Sequence, residues 1–184
     1  MSFFKTRKGA ATVFAAAIVL SVILGSGRSL NALRKNTEAA FYNGVDNDGF
    51  SIQELLANRC TQALNMTTVA KRYINPTDSV ITNVSKAVSA LQQENSIHKK
   101  YTYDRDLDEY MTALYTELGN IDGMTESDEK YRQKLYINFT SQGQEMSHNQ
   151  YNQIVDEFNN NVLSRFPANI LCKVTFCGAP EAFR

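Results

Sequence analysis

The chain has no tryptophan, and only three prolines, three cysteines and two histidines among 184 residues. Each shortage closes a class of reading. So few prolines, with nine glycines scattered, leave no linker-like stretch and predict a single exported domain, for which some 150 residues are enough. Cys60, Cys172 and Cys177 are too few and odd in number for a disulfide framework. One bridge with a thiol left over and three unpaired core thiols both stay open. A zinc site is disfavoured, because C-x4-C with two distant histidines lacks paired ligand spacing. His98 and His148 lie far apart in polar surroundings and read as surface residues. No nucleophile elbow, H-E-x-x-H, phosphate loop or dinucleotide fingerprint occurs. The sequence therefore predicts no catalytic, cofactor-binding or metal-binding residue and no enzyme.

Charge is missing in two places. Gly9 to Gly27 is an uncharged run of 19 residues, directly behind Lys5, Arg7 and Lys8. As helix it is roughly 28 Å long, near the ~30 Å hydrocarbon core of a bilayer. The positive-inside bias then predicts residues 1–8 as a short cytoplasmic tail, 9–27 as a single membrane anchor and 28–184 as an exported domain. A cleaved signal peptide is the competing reading, with Ala10 to Leu24 as its apolar region and Gly25 and Gly27 at positions −3 and −1 of the cleavage site. The anchor is preferred because its apolar helical face continues into Leu30 and Leu33. Acids are absent before Glu38, so the formal charge of zero hides 15 basic against 19 acidic residues after Arg28, a net of −4. That surface argues against nucleic acid or anionic lipid as a partner of the exported part.

What is abundant is helical periodicity. The anchor helix is expected to run to about Phe41, where Tyr42 to Phe50 breaks it. Asp46, Asp48 and Gly49 are similar to part of an EF-hand loop, but with Gly49 as its sixth residue the first is Gly44 and the twelfth Leu55, so a polar turn is expected. Ser51 and Glu54 form a capping box, with Phe50 and Leu55 as a hydrophobic staple. Ile52, Leu56, Ala63, Met66, Ala70 and Tyr73 share a face before Pro76. Asp78 caps a third helix with the stripe Val80/Ile81, Val84, Val88 and Leu91. Gln92 to Lys100 reads as a fraying end or loop. A fourth helix carries Leu107, Tyr110/Met111, Leu114, Leu118 and Ile121, and a fifth Tyr131, Leu135 and Phe139, with a short interruption expected near Gly143.

The acidic run Asp104, Asp106, Asp108 and Glu109 could serve acid–base work or a cation; as a solvated helix start it is expected to cap and to complement the dipole. The sequons at Asn65, Asn83 and Asn138 read as chance. The last helix repeats Tyr151, Ile154, Val155, Phe158, Val162, Leu163 and Phe166 until Pro167, and is expected to pack on the helices around Leu56–Tyr73 and Leu107–Ile121. No segment alternates as a strand. The fold class is all-α, an N-terminal transmembrane helix continuing into an antiparallel helical bundle.

Tyr151-Asn152 is followed seven residues later by Phe158-Asn159, with Val155 between. Phe166-Pro167 and Ile170 follow, then a tail with Gly178 and Phe183. This resembles the C-terminal half of the LemA family, with its YN-x2-V-x2-YN, FP-x2-I and short tail. Leu33-Arg34 with Glu38 to Phe41 resembles that family's "LR…EAW" segment, Phe41 replacing Trp. Ile52, Leu56, Arg59, Asn65, Lys71 and Tyr73 parallel its next helix. Tyr42 to Phe50 stands as an insertion, Leu64 replaces a Pro and His148 an Arg. The resemblance implies a bacterial membrane protein with a short N-terminal tail, one anchor and an exported, mainly helical bundle; it implies no reaction.

By helix geometry Tyr151 and Phe158 are expected in the core. Asn152 and Asn159 are expected at its edge, fixing the register of a neighbouring helix, with a ligand-binding asparagine ladder as the alternative. The functional expectation is a non-enzymatic interaction or scaffold module of the cell envelope, binding other envelope proteins or itself. The alternative is a secreted or anchored sensory or ligand-binding bundle, against which the roughly nine cytoplasmic residues count.

Overall fold

In the computed structural model, which describes residues 6–45 and 49–184, the chain forms helices α1 (Arg7–Asn43), α2 (Ile52–Ala70), α3 (Ser79–Gln93), α4 (Ile97–Gly119), α5 (Glu126–His148), α6 (Tyr151–Phe158) and α7 (Ala168–Thr175), with a π-helical turn at Asn159–Leu163. No strand occurs among the described residues. The expected all-helical class with an N-terminal apolar helix and a bundle is what the structure has. Asp46 and Asp48 of the expected polar turn lie outside the described residues.

The described residues group into two compact units. One comprises Ala40–Asn152 with Glu181–Arg184, the other the residues up to Ala39 with Gln153–Pro180. The first is a four-helix bundle whose starts are written locally. Ser51 Oγ accepts from Glu54 N–H at 3.0 Å, Asp78 Oδ1 from Val80 N–H at 3.0 Å, and Thr125 Oγ1 from Asp128 N–H at 3.2 Å. Each satisfies an N–H that has no intrahelical partner. The expected staple is weak, since Phe50 stays 73% exposed.

Side-chain contacts fix the helix directions. Arg59, early in α2, reaches Phe139 late in α5, while Tyr73 just after α2 reaches Asp128 at the start of α5, so these helices are antiparallel. Arg132 of α5 reaches Tyr115 of α4, and Lys100 of α4 reaches Leu91 of α3, which orders the bundle up-down-up-down. The core holds Leu56 and Met66, Ile81 and Val88, Leu107, Met111 and Leu114, and Leu135 and Phe139.

Several expectations need correction. Of Gln92–Lys100, expected as a fraying end or loop, only residues 94–96 form a loop: α4 begins at Ile97, ten residues before the first apolar residue expected in it. Asp104, Asp106, Asp108 and Glu109 therefore lie inside a helix rather than at its start. Helix α5 runs through Gly143 without interruption. Tyr131 is exposed, and the inward face of α5 reads Asp128, Arg132, Leu135, Phe139 and Met146. The stripe of the last helix divides as well. Tyr151 belongs to the bundle unit, whereas Val155 and Phe158 are buried in residues grouped with α1, and Phe166 is 80% exposed.

In the second unit α1 is unbroken from Arg7 to Asn43, and only 6% of its most apolar 18-residue window is buried inside the protein. Its backbone meets α7 at Gly27, where an added Cβ would stand 2.9 Å from Thr175 Cγ2.

Candidate functional site: a buried charge cluster and a tail clasp

The densest polar chemistry lies inside the bundle, around Arg59. Its neighbours on α2, Leu56 and Ala63, belong to the apolar stripe, so helical phase carries its guanidinium into the core. Arg59 is 2% exposed. Its Nε donates to Asp104 Oδ1 at 2.9 Å, its Nη2 to Asp108 Oδ1 at 2.8 Å and its Nη1 to the Phe139 carbonyl at 3.1 Å. Its Cζ lies 3.8 Å from the Phe139 ring centroid, in cation–π geometry. Gly143 leaves the space for this group: a Cβ on it would meet Arg59 Nη1 and force the guanidinium to shift. Two carboxylates four residues apart on α4 thus meet one guanidinium from α2, and α5 supplies a carbonyl, a ring face and the space. Three helices are tied through one side chain.

The electrostatics follow from burial. Loss of water pushes the Asp104 carboxyl up to about 6, against the pull of Arg59 and with a further push from Asp108. Burial also pushes the Cys60 thiol up to about 11, which makes it a poor nucleophile, and lowers Lys100, whose Nζ donates to the Leu91 carbonyl at 3.4 Å. Cys60 is a buried free thiol, in keeping with the core reading; Cys172 and Cys177 are also unpaired and flank the end of α7.

Two further braces repeat the theme. Arg132 donates to both Glu129 oxygens at 2.7 and 2.8 Å and to the Tyr115 carbonyl at 2.7 Å. Asp128 accepts from Arg72 Nη1 and Tyr73 Oη, both at 2.6 Å, which holds the end of α2 to the start of α5.

A cleft of about 760 Å³ opens beside the Arg59 cluster, lined among others by Asp104, Asp108, Glu109, Asn152 and Arg184. The tail residues at this cleft are held by the first aromatic–asparagine pair. Tyr151 Oη donates to the Glu181 carbonyl at 2.6 Å. The Asn152 amide donates to the Phe183 carbonyl and accepts from the Phe183 N–H, each at 2.8 Å. That two-point bond copies the pairing of a strand residue with its neighbour. The Phe183 ring lies edge-on to Tyr101 at 5.4 Å and beside Phe41 at 5.7 Å. Glu181 in turn caps α4, its Oε2 accepting from Ser96 Oγ at 2.8 Å and His98 N–H at 3.2 Å, while His98 Nδ1 donates to the Arg184 carbonyl at 2.5 Å. Asn152 therefore fixes the tail, not the register of a neighbouring helix, and His98 has a backbone partner. Asn159, its counterpart in the repeat, keeps a buried amide oxygen without a hydrogen bond.

Asp104 and Asp108 pair with Arg59 instead of capping a helix start, and Ser96 with Glu181 does the capping. The burial of Lys100 and Arg132 is not among the sequence expectations, although Asp104–Leu107–Met111 and Asp128–Arg132–Leu135 place charges in phase with apolar stripes. His98 and His148 are not brought into any group of three or more metal-ligating side chains among the described residues.

The LemA family model matches residues 50–184, which span the bundle, α6, α7 and the tail. No curated protein and no solved structure shows a significant match.

Proposed function

This chain belongs to the LemA family, and from that premise we propose that it is a membrane-anchored, non-enzymatic protein of the bacterial cell envelope. Residues 9–27 hold it in the membrane with the N-terminus in the cytoplasm. The bundle stands outside and binds other envelope proteins or further copies of this chain. One observation carries this reading: α1 runs without a break, yet almost none of its apolar window is covered by protein. The length and apolar surface of such a helix suit the hydrocarbon core of a bilayer. The non-enzymatic part draws on the bundle, whose buried charges are spent on one another and on backbone carbonyls. A reporter active only outside the cytoplasm, fused after Arg184, is expected to be active; activity of a cytoplasm-only reporter there overturns the orientation. Crosslinking in intact cells is then expected to join the bundle to a protein in the membrane fraction.

The cleft favours a second reading, a ligand-binding bundle. Its lining sets Asp108 and Glu109 among Arg105 and Arg184, which suits a small zwitterionic ligand. A small molecule that raises the unfolding temperature of the native chain but not of Glu109→Gln would favour it.

A further inference from the structure

We propose that the segment from Phe166 to Phe176 is a second membrane contact, α7 lying in the lipid boundary beside the outer end of the anchor. This rests on the reading of residues 9–27 as a membrane span. Four large apolar side chains of this segment, Phe166, Ile170, Val174 and Phe176, are exposed, Phe166 at 80% and Phe176 at 95%. Ile170 and Val174 stand four residues apart on α7 and so share one face of it, while Phe166 precedes the helix. Phe176 is also left-handed, at φ 53°, a C-cap position that favours glycine. A phenylalanine that sits in a disfavoured backbone conformation and finds no burial in its own protein has its use outside it.

The position of α7 identifies the occupant. Thr175 closes on Gly27, and Gly178 lies near Arg34. Pro167, Ala168 and Leu171 face Ser21, Gly25 and Ser29 of α1 across an open groove of about 480 Å³. The segment thus runs alongside the last turns of the apolar run, at the depth of Leu20 and Leu24, which are themselves exposed. If those residues meet lipid, so does the neighbouring face of α7. Charge agrees. From Phe158 to Pro180 the chain has no acid, and its charges are Arg165 and Lys173, both exposed, in an exported part that is otherwise net acidic. Lys173, near the Gly27 end of α7, has a long aliphatic stem that can lie along the acyl boundary with its ammonium toward the lipid phosphates. The mild acidity that argues against a lipid partner for the exported part as a whole does not extend to this segment.

The absence of tryptophan provides the test. Full-length chains carrying Phe176→Trp, Leu24→Trp or Ile137→Trp, the last on an exposed site of α5, are reconstituted in phosphatidylcholine vesicles with and without acyl-chain bromination. Far-UV circular dichroism checks helix content, and Val174→Trp replaces Phe176→Trp if that variant fails to fold. Phe176→Trp is expected to emit to the blue of Ile137→Trp and to be quenched by brominated lipid. Ile137→Trp stays red and is quenched only by aqueous iodide. Water-like emission at Phe176→Trp overturns the proposal. Blue emission that bromine leaves untouched also overturns it, since a protein surface then covers α7. If Leu24→Trp is itself unquenched by brominated lipid, the anchor reading falls. If Leu24→Trp is quenched and Phe176→Trp is not, only the second contact falls.

Discussion

The bundle and the unit built on α1 solve opposite problems. In the bundle, apolar side chains are inside and five charged ones are inside with them: Arg59, Lys100, Asp104, Asp128 and Arg132 each find a partner there. In the other unit, Phe14, Leu20, Leu24, Phe166 and Phe176 point outward, and Arg165 and Lys173 are exposed among them. The same residue types are thus sorted by different surroundings. Where water is the solvent, a buried charge is tolerated only when paired and hydrogen-bonded. Where apolar groups face out along a span-length helix, the solvent they fit is hydrocarbon.

The comparison is broken most forcefully at Arg59. Arg59→Ala strands Asp104 without its counter-ion and removes a brace shared by three helices, so the full chain in detergent micelles should lose about 3–5 kcal/mol in denaturant unfolding. An unchanged midpoint would mean the charges inside the bundle hold nothing together. Asn152→Ala is expected to cost about 1–3 kcal/mol, because both backbone groups of Phe183 lose their partner at once; a parallel rise in protease cleavage near Phe183 would locate the loss in the tail.

Asp104 sharpens the contrast through pH. Burial holds its carboxyl at about 6, above the ordinary 3.8. Between those values the folded chain takes up a proton that the unfolded chain does not. Protonation therefore favours folding: this group adds stability as pH falls through about 6 and withdraws it as pH rises. Relative to Asp104→Asn, which cannot titrate, the native chain should gain on the order of 1 kcal/mol between about pH 7.5 and 5. Parallel pH–stability curves for the two chains would show a carboxylate that titrates normally.

The smallest effect is expected in the other unit. Phe176→Gly deletes a side chain that is 95% exposed and suits the left-handed backbone, so the thermal midpoint in micelles should correspond to a change within about 0.5 kcal/mol. A large loss would show that Phe176 is packed after all, and the contrast between the two units would shrink.

Helix identity was legible because caps and stripes are local. Ser51, Asp78 and the face Ile81–Val84–Val88–Leu91 could be read within one or two turns. The start of α4 was not, because after Ile97 the residues that turn inward there are Lys100 and Asp104, and hydrophobic periodicity has no signal for a charge that is buried. The residue pair Tyr151-Asn152 was visible as a repeat, but its target was not: a helix-edge amide looks the same whether it meets another helix or a returning tail.

The sequence by itself determined the all-helical class, the uncharged run from Gly9 to Gly27 and most of the apolar core of α2, α3 and α4. Those properties depend on residues three and four apart, where helix geometry alone brings side chains together. Only the tertiary structure decided which charges go inside. Arg59 meets carboxylates 45 and 49 residues away and a carbonyl 80 residues away, and Asn152 meets a backbone 31 residues away. The cost of burying a polar group is local and the partner that offsets it is distant, so its place is settled only when the helices come together.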